Sequence, residues 1–162
     1  MAASFDAASG PVRSAALKNA INVRNVAGGS ETNPLWISRV SNDAFRAALE
    51  TSLKSASLLR TEGAPADYEL DAMLVGLDQP LIGVDLTVVC SVSYALSEAR
   101  SGKRVYAKTV TTPFTAGMQD AFLAVDRLRI ANEGAVRMNL RRLLTDLAGL
   151  DVPVTAAVPA PQ

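Results

Sequence analysis

The most regular stretch of the chain runs from Val84 to Leu96. Val84, Leu86, Val88, Cys90, Val92, Tyr94 and Leu96 take one parity, and Asp85, Thr87, Ser91, Ser93 and Ser97 take the other. Apolar positions at a period of two predict a half-buried strand, because successive side chains of an extended chain point to opposite faces. Tyr68–Leu77 repeats the pattern, setting Tyr68, Leu70, Ala72 and Leu74 against Glu69 and Asp71. Leu17–Val26 does so through Leu17, Ile21 and Val23, before Ala27-Gly28-Gly29 ends it. Arg104–Thr112 is rich in β-branched residues and is expected to stop at Pro113, which has no N–H to donate to a ladder. Glu98–Lys103, with Ser101-Gly102, reads as the hairpin connecting the last two strands.

Two segments switch to helical spacing. Ser41 is placed as an N-cap before Phe45, Ala48, Leu49, Ser52, Leu53, Ala56 and Leu59, with Arg46, Glu50 and Lys54 on the other side and Glu50 and Lys54 spaced for an ion pair. From Met118 to Ala148, Ala121, Val125, Leu128, Ala135, Val136, Leu143 and Leu147 share a face, predicting a helix roughly 45 Å long and longer than the sheet it covers. Gly149 is placed as its C-terminal cap. The order is β-α-β-β-β-α. The fold class is therefore α+β, with a four-stranded antiparallel or mixed sheet and both helices on one face. Residues 1–16 are read as a flexible segment, 17–150 as a single domain and 151–162 as a disordered Pro/Ala-rich tail.

Composition narrows the chemistry. Sixteen Lys+Arg balance sixteen Asp+Glu, so the phosphate-neutralising excess expected of a nucleic-acid-binding domain is missing. Histidine is absent, which removes the commonest general base, the commonest metal ligand and every Ser-His or Cys-His nucleophile. One cysteine, Cys90, allows neither an internal disulfide nor a cysteine metal cluster, and its inward parity makes it a small buried hydrophobe. No catalytic residue, metal ligand or cofactor is expected. Gly28-Gly29 lacks the following helix start and Lys-Ser/Thr of a phosphate loop and reads as a turn. Glu69, Asp71 and Asp85 could meet on one sheet face, where a solvated surface is the expectation.

The last helix holds the remaining candidates. Arg127, Arg129, Arg137, Arg141 and Arg142 are nearly cancelled by Asp120, Asp126, Glu133 and Asp146, so a salt-bridged face is expected. Asn132 and Asn139 project near the apolar stripe, with Arg129 at its edge. These three are assigned as polar contacts tying the helix to sheet backbone or to the preceding loop. Gly134 marks a close approach of another chain segment, since a mid-helix glycine costs about 1 kcal/mol. Leu123, Ile130, Arg137 and Leu144 lie at heptad spacing, opposite Val125 and Leu143, and are assigned as a candidate partner surface.

Phe45-Arg46-Ala47-Ala48-Leu49, Tyr68-Glu69-Leu70, Val92-Ser93-Tyr94-Ala95-Leu96 and Arg127 to Arg137 (RLRIANEGAVR) together resemble small bacterial outer-membrane lipoproteins, including the lipopolysaccharide-assembly lipoprotein group and related envelope lipoproteins. The resemblance spans about residues 17–148 and carries no active-site residue. It implies a periplasmic, outer-membrane-anchored accessory protein for envelope assembly or transport, acting on an envelope protein partner or by self-association. The lipid-bearing cysteine of that group has no counterpart here, so the implied anchor would be attached upstream of Met1. Two other readings stand beside it: a carrier of lipid or another small hydrophobic ligand between sheet and helices, and a cytoplasmic enzyme using carboxylate, Lys or Tyr chemistry.

Overall fold

The computed structural model describes residues 1–2, 15–29, 40–79 and 83–152. A short 3-10 turn at Ala15–Leu17 leads to β1 (Ile21–Ala27), α1 (Asn42–Ser55), β2 (Tyr68–Asp78), β3 (Leu86–Glu98), β4 (Arg104–Ala116) and α2 (Ala124–Ala148). This is the expected order. The strands lie as β1-β2-β3-β4 in one sheet. β1 and β2 are parallel, while β2–β3 and β3–β4 are antiparallel, so the sheet is mixed. Parallel neighbours require a crossover, and α1 supplies it. α1 packs on β1, α2 on β3 and β4, and the helices touch each other, so both cover the same face.

The inward parity of β3 is fully used: Leu86, Val88, Cys90, Val92, Tyr94 and Leu96 are all buried. Val84 is exposed instead, because pairing begins at Leu86↔Ala116. In β1 the alternation fails after Val23. A register shift between Val23 and Asn25 turns Val26, not Asn25, toward the core, as a bulge does. Arg46 of α1 reaches this irregularity and donates to the carbonyl oxygens of Val23 at 2.8 Å and Arg24 at 3.2 Å. β4 does not end at Pro113 but continues to Ala116, with Pro113 opposite Val89. It is an edge strand, where a missing N–H need not remove a ladder bond.

Ser41 caps α1 as expected, its hydroxyl accepting from Ala44 N at 3.2 Å. Phe45, Ala48, Leu49, Ser52 and Leu53 are buried beneath it. The ion pair formed on its outer side is Arg46–Glu50 at 3.4 Å, rather than the expected Glu50–Lys54 pair.

α2 departs most from expectation. It starts at Ala124, because Gly117 to Asp120 forms a turn in which Gly117 N donates to Asp120 Oδ2 at 2.8 Å. Its 25 residues span about 37 Å at ~1.5 Å each, less than the ~43 Å of a 13-residue strand at ~3.3 Å each. The helix is therefore shorter than the longest strands it packs on. Gly149 caps it with φ −84°, without using the left-handed conformation open to glycine. Beyond it Asp151 is exposed but Val152, the second residue of the expected tail, is 5% exposed and belongs to the core. Residues 153–162 lie outside the described residues, as do 3–14 of the expected flexible segment and 30–39 around Trp36. Met1 and Ala16 pack against the core. Among the described residues no helix is long and apolar enough to cross a membrane.

Candidate interaction surfaces

Asn139 is the polar centre of the interior. It is fully buried, donates from Nδ2 to the carbonyl oxygens of Val110 at 2.7 Å and Cys90 at 3.1 Å, and accepts from the Tyr94 hydroxyl at 2.8 Å. The amide thus ties α2 to β3 and β4 as expected. Both carbonyls it reaches are bonds a buried backbone needs. Burial pushes the Tyr94 hydroxyl well above its ordinary range and the Cys90 thiol up to about 12, so both stay neutral and unreactive. Asn132 is also buried and accepts from Gln79 Nε2 at 2.9 Å, which ties α2 to the end of β2. Arg129 makes no such tie. It is largely exposed and pairs with Asp126 at 3.7 Å.

The buried arginine is Arg127, for which only a salt-bridged face was expected. Its Nη1 donates to the carbonyl oxygens of Ala121 at 3.0 Å and Phe122 at 2.7 Å, while its Nε is buried without a partner. Its position four residues after Leu123, one turn into the helix, puts the guanidinium back over the entering loop.

The carboxylates do not form a catalytic group. Arg24 bridges Glu69, at 3.0 Å, and Asp71 on the uncovered sheet face. Asp85 precedes β3, whereas Asp71 pairs with Ala95 far along the same strand, so Asp85 lies at the opposite end of the sheet. Among the described residues no three His, Cys, Asp or Glu side chains could hold a metal. Gly28 takes φ +83° against the backbone of Leu74, and Gly29 N donates to Asn42 Oδ1 at 2.8 Å, a turn rather than a phosphate cradle.

The heptad seam does not form one surface. Leu144 is 1% exposed in the core and Ile130 packs against the core, while Leu123 and Arg137 are exposed. The reason is a broadening of the buried arc. Asn139, Leu140, Leu143, Leu144, Leu147 and Ala148 are all buried in the C-terminal half, where adjacent positions are covered in pairs. A helix resting only on a sheet has one narrow stripe, but this one also meets α1. Gly134 likewise faces inward: a Cβ there would overlap the Phe114 ring, so the close approach is by a side chain of β4.

Apolar exposure gathers elsewhere. Met118, Phe122, Leu123 and Val125 are 51%, 83%, 62% and 77% exposed at the mouth of α2. Val125, assigned from its spacing to the buried face, lies on this tip instead. The missed signal was Gly117 with Asp120, a turn pair that moves the helix start past Phe122. A second feature is a groove of about 570 Å³ between β4 and the C-terminal half of α2, lined by Lys108, Thr111, Met138, Arg141 and Arg142 among others. Asp146 beside it accepts from Lys108 Nζ at 2.7 Å and from the Tyr106 hydroxyl at 3.0 Å. Burial first, and that bond second, raise the Tyr106 hydroxyl above its ordinary range. The face of the sheet away from the helices carries Ser91–Thr111 and Thr87–Thr115 hydroxyl pairs at 3.0 and 2.8 Å on β3 and β4, and the exposed Met73 and Val75 on β2.

No family model and no curated protein sequence matches this chain. Solved structures do. A candidate lipoprotein from Caulobacter crescentus superposes with a TM-score of 0.54 at 21% identity, over 82% of this chain and 90% of that one. A PelC dodecamer from Paraburkholderia phytofirmans gives 0.52 at 15% identity, over 85% and 92%. A Xanthomonas campestris protein of the DUF330 family gives 0.51 at 12% identity, over 91% of each chain. The resemblance to small bacterial envelope lipoproteins drawn from the sequence therefore holds at the level of the fold.

Proposed function

We propose that this protein is a non-enzymatic accessory protein of the bacterial cell envelope. On this reading it acts from the periplasmic side of the outer membrane, in assembly or transport, through protein–protein contacts. The observation that carries the reading is the fold shared with the Caulobacter candidate lipoprotein over nine-tenths of that chain's length. A sequence without histidine, and an interior whose polar groups are spent on backbone carbonyls, support a non-catalytic role. The carrier reading is less well supported, because side chains bridge the layers directly: Thr112 Oγ1 donates to Ala135 O at 3.0 Å and Asn139 spans α2 to both β3 and β4.

Membrane attachment on this reading is by a lipid on a cysteine outside these 162 residues, since Cys90 is buried in β3 and no acyl chain could reach its sulfur in the folded protein. The test is metabolic labelling of the full open reading frame with an alkyne fatty acid in a Gram-negative host. The expected result is a labelled product in the membrane fraction, unchanged by Cys90→Ala. An unlabelled, cytosolic product overturns the proposal.

A further inference from the structure

Arg127 is 7% exposed, and among the described residues no carboxylate pairs with it. Its Nη1 is taken up by the carbonyl oxygens of Ala121 and Phe122, and its Nε is buried without a partner. Its Nη2, which bonds to none of the described residues, is not among the buried atoms. A charge taken out of water needs a counter-charge, and two carbonyl dipoles supply only part of one. The guanidinium also stands where an anion is favoured. α2 begins one turn before it, and Leu123 at the N-cap brings no side-chain oxygen to the first-turn N–H groups. The positive end of a 25-residue helix therefore opens beside the buried cation.

Hydrocarbon surrounds this mouth. Met118, Phe122, Leu123 and Val125 all project into solvent, and the Arg127 bonds hold the loop that displays them. Clustered apolar exposure on a fixed frame marks a contact site, where single scattered residues do not. The other charges at this end of the fold are mixed in sign. Asp126, in the first turn, pairs with Arg129 at 3.7 Å, and Asp120 Oδ2 accepts from Gly117 N. Asp85 comes just before Leu86, which pairs with Ala116 at the root of the loop.

We infer that the mouth of α2 seats on a phospholipid bilayer. The four apolar side chains enter the acyl boundary, and the phosphate of a zwitterionic headgroup meets Arg127 Nη2 and the open first turn of the helix. The occupant is a lipid because one spot combines a place for an anion with a place for hydrocarbon. It is a bilayer surface because side chains this exposed point outward and need no matching recess. The headgroup is zwitterionic because the charges around the mouth are mixed: its phosphate complements the guanidinium and its ammonium complements Asp120 and Asp126. An anionic surface would meet those same carboxylates with repulsion. The inference does not depend on the cellular location proposed above, and the contact it describes is separate from any covalent anchor.

The experiment is flotation of the 162-residue chain with vesicles of equal parts phosphatidylcholine and phosphatidylethanolamine. The wild type should float, and Phe122→Glu should stay at the bottom of the gradient. Vesicles of digalactosyldiacylglycerol, which has acyl chains but no phosphate, should bind severalfold less. Adding phosphatidylglycerol should not raise the bound fraction. An environment-sensitive fluorophore on Leu123→Cys reports insertion, since the native Cys90 is buried and does not compete for the label. Its emission should shift to the blue with vesicles, whereas the same label on Arg137→Cys, fourteen residues further along α2, should not shift. Circular dichroism checks that each variant is folded, and Phe122→Ser replaces Phe122→Glu if the latter is not. A wild type that does not float overturns the inference, as does flotation that survives the Phe122 substitution. So does equal binding to the galactolipid, stronger binding with phosphatidylglycerol, or a Leu123 label that shifts no more than the Arg137 label. Concentration-dependent sedimentation of the wild type without vesicles, lost in the Phe122 variant, also overturns it and makes the tip a contact between copies.

Discussion

The C-terminal half of α2 and its N-terminal mouth use similar side chains to opposite ends. From Asn139 to Ala148 the helix buries Leu140, Leu143, Leu144 and Leu147 completely or nearly so, with the Asn139 amide meeting backbone on two strands. At the mouth, Phe122, Leu123 and Val125 stand in solvent beside a buried arginine that holds the loop. The difference lies in cover. The body of the helix is covered by the sheet and by α1, whereas the mouth has just left the end of β4. Apolar periodicity therefore reports burial only where a second layer exists to receive it. Four substitutions sharpen that comparison.

The largest effect is expected at Leu144. As part of a partner surface it would accept a charge. As a core residue it cannot, because a carboxylate there would be desolvated without a partner. Leu144→Glu should cost at least ~4 kcal/mol. At ~2–4 °C per kcal/mol for a chain of this size, the melting temperature should fall by about 10 °C or more, or the protein should not fold. A melt within a degree or two of wild type would return Leu144 to the surface.

Asn139→Ala comes next. It strands the Tyr94 hydroxyl and the carbonyls of Cys90 and Val110, groups whose desolvation costs about 1–3 kcal/mol each when unpaired. A net loss of about 3 kcal/mol is expected in urea unfolding. Adding Tyr94→Phe should recover about 1 kcal/mol, since the orphaned hydroxyl goes with it. Strictly additive losses would mean that the hydroxyl and amide act separately.

These positions also show what the sequence could and could not disclose. The strand from Leu86 to Leu96 was legible because both of its faces are defined, one dry and one polar. Asn139 was legible because an amide on an apolar stripe has to find partners. Leu144 was not, because α2 packs on α1 as well as on the sheet, and contact with an element about ninety residues away leaves no trace in the local period. Val125 was misplaced for the converse reason: its spacing fits the stripe, but the layer that would cover it is absent there. Pro113 misled because a proline ends a central strand and is tolerated on an edge, and strand order is not written in the period.

Gly134→Ala has a smaller effect with two opposed parts. Alanine gains about 1 kcal/mol of helix propensity, but its methyl overlaps the Phe114 ring from β4. Overpacking typically costs about 1–3 kcal/mol, so a net loss of about 1 kcal/mol is expected. Gly134→Ala with Phe114→Leu should relieve the overlap and regain part of that loss. If the single substitution instead stabilises the protein, the ring moves aside freely and the glycine has no packing role.

The smallest expected change, and one of opposite sign, is at Leu123. A leucine at the N-cap leaves a helix N–H without the side-chain oxygen that Ser, Asp or Asn would bring, and at 62% exposure it gains little by burial. Leu123→Ser should therefore stabilise the monomer, by about 0.5–1 kcal/mol. At ~2–4 °C per kcal/mol that is a rise in melting temperature of roughly 1–4 °C. The corresponding change inside the C-terminal half, Leu143→Ser, would remove a fully buried side chain and bury a hydroxyl, with a large loss instead. A stabilising Leu123→Ser would show that the exposed leucine stands at the N-cap at the expense of the helix. A destabilising one would mean that Leu123 packs more closely than its exposure indicates, and the contrast between the two ends of α2 would be lost.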